Sequence, residues 1–320
     1  MKLPVLAATE YALVAAKASG GEVMKLPVLA ATEYALVAAK ASGGETVKLP
    51  VLAATEYALV AGAPGSADRA RQVADLIDEA VPRIAPIVGT ADLRPVPAVI
   101  YVDRQEFVAA TGIPSRAPIV GLATFPAGVI HVDSGGALAS IGKVVPHEVG
   151  HVLIGRAVGP AFGALPIWLN EGVAEYVAGE RAAQVDPVTL QAVGRGEIIP
   201  LAELDAAFGS GGGRGRLAYT EAASIVNFLV SARGEQIIAS LLGSLRETRD
   251  FEAALEQETG WDVVELEKAW SRSVSRRFRW PLLLGSSALP FTLMLLLFLL
   301  ALVRFLIERR RRQEMAEQDW

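Results

Sequence analysis

Apolar residues recur along this chain with more than one period, and each change of period marks a different part. Between Asp68 and Ile87, the residues Val73, Leu76, Ile77, Ala80, Val81 and Ile84 return every three or four positions, and Gly89 follows as a stop. That spacing predicts an amphipathic helix. PAVIYV at 97–102 is a short β-rich run, with a helix expected after it around Arg104–Ala110. VGLATF and GVIHVD, within 120–133, read as two strands separated by Pro126, Ala127 and Gly128. From Leu138 onward the pattern is helical, interrupted by the Gly-rich loop GSGGGRG (209–215) and by proline-containing turns. A helix, a few strands and then many helices make an α+β domain with a small N-terminal sheet and a helical C-terminal half.

Both ends depart from this pattern. Pro281–Val303 is an uncharged run of 23 residues, which would reach roughly 34 Å as a helix, enough to cross a bilayer. A transmembrane helix is therefore expected over 280–304, with a charged cytoplasmic tail at 305–320. The compact Arg309–Arg312 cluster favours the C-terminus inside, although Arg272, Arg276, Arg277 and Arg279 precede the run. At the other end, MKLPVLAATEYALVAAKASGGE (1–22) recurs unchanged at 24–45, and KLPVLAATEYALVA returns at 48–61. A period of 23 falls in the range of solenoid repeats, but solenoid copies drift and these do not. Residues 1–46 read as a recent duplication or an artefact of gene assignment. Lys48, the apolar stretches Leu49–Ala54 and Tyr57–Ala61, and GAPGSA resemble a secretory signal peptide over 47–67, cut after Ala67, with Glu56 interrupting its apolar run. A non-cleaved amphipathic helix is the alternative. A signal peptide and the arginine cluster agree on a single-pass protein of the cell membrane, with residues 68–279 extracytoplasmic and the lipid bilayer as a partner.

Composition sharpens the chemistry. The hydrophobic share of 52% and mean hydropathy of +0.37 are high, and the two ends account for the excess. A formal charge of -5 offers no basic surface for nucleic acid. With no cysteine, disulfides and thiolate chemistry are excluded, so any metal must be held by histidine and carboxylate. Two of the three histidines stand in VVPHEVGH (144–151). Residues four apart share a helix face, so His147 and His151 can offer two imidazole nitrogens to one ion, with Glu148 beside them as a base. H-E-x-x-H on a helix is the signature of that arrangement with zinc. Pro146 either opens this helix or bends a longer one from Leu138. A metzincin would need glycine at position 154 and histidine at 157, where Ile154 and Ala157 stand. His131, in a strand-like segment, is expected to be an edge or core residue.

Downstream stands PIWLNEGVAEY (166–176), with 19 residues between His151 and Glu171. HEVGH followed at this distance by WLNEGVAEY resembles the gluzincins, the thermolysin-like and peptidase MA-like zinc peptidases. AYTEAASIVNFLVSARG (218–234) and GWDVVELEKAW (260–270) are similar to the helical half of bacterial members, so the resemblance covers roughly Asp68–Arg279. It implies a zincin-like fold, Zn2+ held by His147, His151 and Glu171, Glu148 as the catalytic base, and a peptide or protein substrate. It also implies that Asn170 and Glu175 support the ligands, with Glu175 standing where the family usually has aspartate. An oxyanion-stabilising group is needed. Tyr219, taken to lie at the start of a helix after the Gly-rich loop, is the candidate, and Tyr176 is a weaker one. The strand pair at 120–133 would form the edge along which an extended peptide lies. The G-x-M-E-N segment of the clan's aminopeptidases has no counterpart here, so an aminopeptidase is the less favoured alternative. A non-catalytic, zinc-holding, membrane-tethered scaffold is another.

Overall fold

The computed structural model describes residues 35–38, 47–115, 117, 119–125, 128–135, 138–179, 189, 191–192, 195–210, 212–285 and 288–318. Most of the repeat, the Pro126–Ala127 turn and Gly211 of the Gly-rich loop lie outside them.

The first half is built on a mixed sheet. Its strands are β1 (Ala35–Ala38), β2 (Val47–Ala54), β3 (Ala58–Gly62), β4 (Val96–Tyr101), β5 (Gly121–Thr124) and β6 (Val129–Asp133), in the order β1-β2-β3-β4-β6-β5. β3, β4 and β6 run parallel, while β5 pairs antiparallel with β6 at the edge. Parallel strands need cover on both faces, and every residue of β4 is buried. One face is covered by α1 (Ala67–Val88) and α3 (Leu138–Val158), through Val73, Ile77, Ile84, Val145 and Val149 among others. The opposite face is covered by α2 (Arg104–Thr111), whose Phe107 packs with Val99, Tyr101 and Val129. α1 stops where expected: Gly89 adopts φ 73° and its N–H reaches the Ala85 carbonyl.

The second half is helical: a 3₁₀ turn (Gly159–Ala164), then α4 (Ile167–Val177), α5 (Leu201–Phe208), α6 (Gly212–Arg233), α7 (Gln236–Thr248), α8 (Phe251–Thr259), α9 (Val263–Gly285) and α10 (Ala288–Gln318). Pro146 lies inside α3, eight residues from its start, so it does not open the metal-motif helix.

Three stretches singled out in the sequence take the following form. Residues 47–62, read as the apolar run of a leader, are β2 and β3, and Val51, Ala53, Ala58, Val60 and Ala61 are buried in the sheet. Glu56, which interrupts that run, is exposed in the turn between the strands. The turn is clamped to α1, because the Thr55 hydroxyl and the Tyr57 N–H both donate to Asp78 Oδ1, at 2.7 and 3.0 Å. The expected Gly-rich loop is shorter than read, since α6 begins at Gly212. At the C-terminus the uncharged run is divided between α9 and α10, and no single helix among the described residues is long and apolar enough to cross a membrane. Thr292–Ile307 forms a shorter apolar helical stretch, with its leucines and phenylalanines exposed.

Candidate functional site

Two helices carry the chemistry, and two glycines let them meet. A Cβ on Gly150 of α3 would come within 2.8 Å of Val177 Cγ2 and 3.3 Å of Ala174 Cα, so α3 approaches α4 more closely than any side chain there would permit. A Cβ on Gly172 would lie 2.6 Å from the Ala222 carbonyl oxygen, which seats α4 against α6 in the same way. α4 is preceded at its N-cap by Pro166, which offers no capping side chain. Asp205 of α5 supplies the cap instead, accepting from the N–H groups of Ile167 and Trp168 at 3.0 and 2.8 Å.

The packing brings His147, His151 and Glu171 to one point. His147 Nε2 and His151 Nε2 are 3.1 Å apart, and Glu171 Oε2 lies 3.6 and 3.5 Å from them. A tetrahedral ion with bonds of about 2.05 Å spaces its ligand atoms roughly 3.3 Å apart, so the three donors fit zinc. The outward ring nitrogens face other partners. His151 Nδ1 lies 3.0 Å from Asn170 Oδ1, which can only accept, so Nδ1 carries a hydrogen and Nε2 is the atom turned toward His147 and Glu171. Glu175 Oε1 is 3.8 Å from His147 Nδ1. Burial works against a charged His151, but the Glu171 carboxylate beside it outweighs this and raises the ring to about 9. Burial likewise opposes the Glu171 carboxylate, and His151 and His147 overcome it, holding that carboxyl well below the usual range.

Glu148 sits on the same helix but turns toward the sheet. It is buried, and its carboxyl lies beside Gly121 of β5, where a Cβ would fall 2.2 Å from Val144 Cγ1 and 3.0 Å from Glu148 Oε1. Burial pushes its pKa up, partly opposed by His151 and His147. Such a carboxyl is poised to take and return a proton. The edge strand is held by Arg104, which pairs with Asp133 at 3.0 Å and donates to the carbonyls of Ala117 and Ile119 just before β5.

Tyr219 lies two turns into α6. Its ring packs edge-on against Phe208 at 4.8 Å, and it is 40% exposed. Desolvation, and then the carboxylates of Glu171, Glu148 and Glu175, push its phenol up. Tyr176 donates its hydroxyl to Glu235 at 2.7 Å. His131 is a buried core residue of β6, as expected. Its Nδ1 is 2.9 Å from the Tyr101 hydroxyl, and burial lowers its pKa to about 4.

Sequence reasoning did not single out Gly121, Gly150, Gly172, Asp205 or Arg104. The glycines inside HEVGH and NEG were the legible signal, because glycine within a helical pattern marks a close approach. Asp205 acts on partners 37 and 38 residues away and Arg104 on partners 13 or more away, and neither leaves a local trace.

A comparison with curated proteins gave no match. The sequence profile of the Peptidase MA superfamily, by contrast, matches residues 77–276, from the middle of α1 into α9. The match takes in both site helices, the sheet edge beside them and the helices behind, an α+β arrangement that fits such a domain; the chain belongs to the peptidase MA superfamily.

Proposed function

We propose that the protein is a membrane-anchored, zinc-dependent peptidase. The observation that supports it most is the convergence of His147 Nε2, His151 Nε2 and Glu171 Oε2 at tetrahedral spacing beside the buried Glu148. Zinc bound by these three residues would lower the pKa of water and polarise a peptide carbonyl. Glu148 takes the proton from the attacking water and passes it to the leaving amine, which its raised pKa favours. Asn170 fixes the His151 ring, and Glu175 stands behind His147. Tyr219, its phenol pushed up by desolvation and then by the surrounding carboxylates, donates to the carbonyl oxygen as charge develops there. Residues 281–303 form the anchor, with the catalytic domain extracytoplasmic. The exposed apolar side chains of Leu293–Ile307 support that reading, since such a surface needs lipid or a partner.

The test is a peptide-library digest with zinc-loaded protein. Glu148→Gln should retain zinc by atomic absorption and lose on the order of 10³-fold in kcat/KM. A chelator should abolish cleavage and added zinc should restore it. Full hydrolysis by Glu148→Gln would sink the mechanism, and bound zinc without any wild-type cleavage would favour a non-catalytic scaffold.

A further inference from the structure

β5 leads from the candidate site to a second feature. Gly121 at its start lies against Glu148, and Phe125 just past its end lies against Gly155, where a Cβ would fall 2.5 Å from Phe125 Cε1. The residues from Gly121 to Phe125 cover about 14 Å, or four residues of an extended peptide. β5 is the outermost described strand on this side of the sheet, so no further described strand pairs with its outer edge.

Beyond Phe125 opens a cleft of about 920 Å³, a volume typical of ligand sites. Phe125 and Phe162 stack at one wall, centroids 4.4 Å apart, while Leu59, Pro97, Val152 and Pro160 complete the apolar lining. The polar groups at its rim are engaged with one another. Arg94 pairs with Asp92 at 2.6 Å, and Arg156 donates to the backbone carbonyls of Asp92, Arg94 and Pro95. Val152 and Gly155 on the floor follow Glu148 at four and seven residues, one stripe of α3, and Gly159 lies just past the end of that helix. The cleft and the catalytic carboxyl thus share one helix face and are bridged by one strand.

We propose that this cleft is a distal subsite that takes a bulky apolar, preferably aromatic, side chain carried by the substrate about four residues from the scissile bond. The assignment rests on the peptidase reading above and narrows its substrate class. Continuity with β5 favours a peptide over a small polar ligand, which would find the charged groups already paired.

Two measurements on the full-length protein in detergent test it. The first uses the zinc-loaded Glu148→Gln protein and fluorescent twelve-residue Ala/Ser peptides with or without one central Phe. The Phe peptide should bind about tenfold more tightly, and Phe162→Ala should remove the difference. Equal affinities, or a difference that survives Phe162→Ala, would overturn the subsite whether or not the wild type cleaves anything. The second takes a peptide cut in the library digest. Phe four residues from the bond should raise kcat/KM about tenfold over Ala, mainly through KM, and Phe162→Ala should cancel that gain while four-residue peptides, too short to reach the cleft, are cut as before. Phe162→Leu, which keeps bulk without the stacked ring, should retain part of the preference. Equal loss on short and long peptides in both variants would count against the subsite. Failure of the wild type to cut any peptide would sink the peptidase reading alone, and the binding result would still decide the cleft.

Discussion

At His147 and His151 the imidazoles can converge only because their outer nitrogens are already placed, with Asn170 accepting from His151 Nδ1. Glu148 depends on its surroundings in another way: the space for its carboxyl exists because position 121 has no side chain. Gly121→Ala would put a methyl group 2.2 Å from Val144 Cγ1 and 3.0 Å from Glu148 Oε1. We expect it to lower kcat/KM at least about tenfold and to cost roughly 1–3 kcal/mol of stability, read by peptide kinetics beside thermal melts. An unchanged rate would show that Glu148 does not need this space. Glu221 offers a test by pH. It is fully buried, accepts from the Ile199 N–H, and is raised from 4.5 to about 8, chiefly by desolvation. Between those values the folded chain binds more protons than the unfolded one, so this residue's contribution is fully present below 4.5 and lost as pH rises through about 8. Glu221→Gln should therefore change Tm little near pH 5 and raise it above pH 8, by a few degrees, each kcal/mol being worth roughly 2–4 °C at this size. A Tm difference independent of pH would contradict the assignment.

At the scale of elements, the site depends on how closely α3 and α4 approach and on where the sheet begins. Gly150 and Gly172 set the first. The second concerns 47–62, whose two short apolar runs suit a leader or a hairpin equally well by composition. The hairpin forms because the runs can bury alternate residues between α1 and β4 and clamp their turn to Asp78. A chain beginning at Val47 should accordingly melt cooperatively. One beginning at Asp68 loses β3, the neighbour of β4, and should be insoluble or melt without cooperativity. Solubility and calorimetry of the two truncations decide it, and a well-folded shorter chain would restore the leader reading.

For the whole molecule, the domain that carries the candidate site and the apolar C-terminus are separable by packing. Trp270 and Val274 are the last buried residues described in α9, whereas Leu293–Ile307 expose a continuous apolar surface. Ending the chain after Arg279 should move the protein from the carbonate-resistant membrane fraction to the soluble one with kcat/KM on short peptides within about twofold. Continued membrane association would mean that another surface binds the bilayer.

The local sequence alone determined what depends on neighbours along the chain: the α1 stripe and its Gly89 stop, and two histidines four apart on one helix face. Glu171, 20 residues beyond His151, was legible through resemblance to a known pattern, as were Asn170 and Glu175. The tertiary structure decided the rest. It turned 47–62 into strands, started α6 at Gly212, kept Pro146 inside α3, and set Glu148 against Gly121 on a strand 27 residues earlier. The reason is physical: helical periodicity is written in residues three and four apart, whereas strand pairing, close helix approach and capping from another helix join residues whose separation in sequence carries no signal.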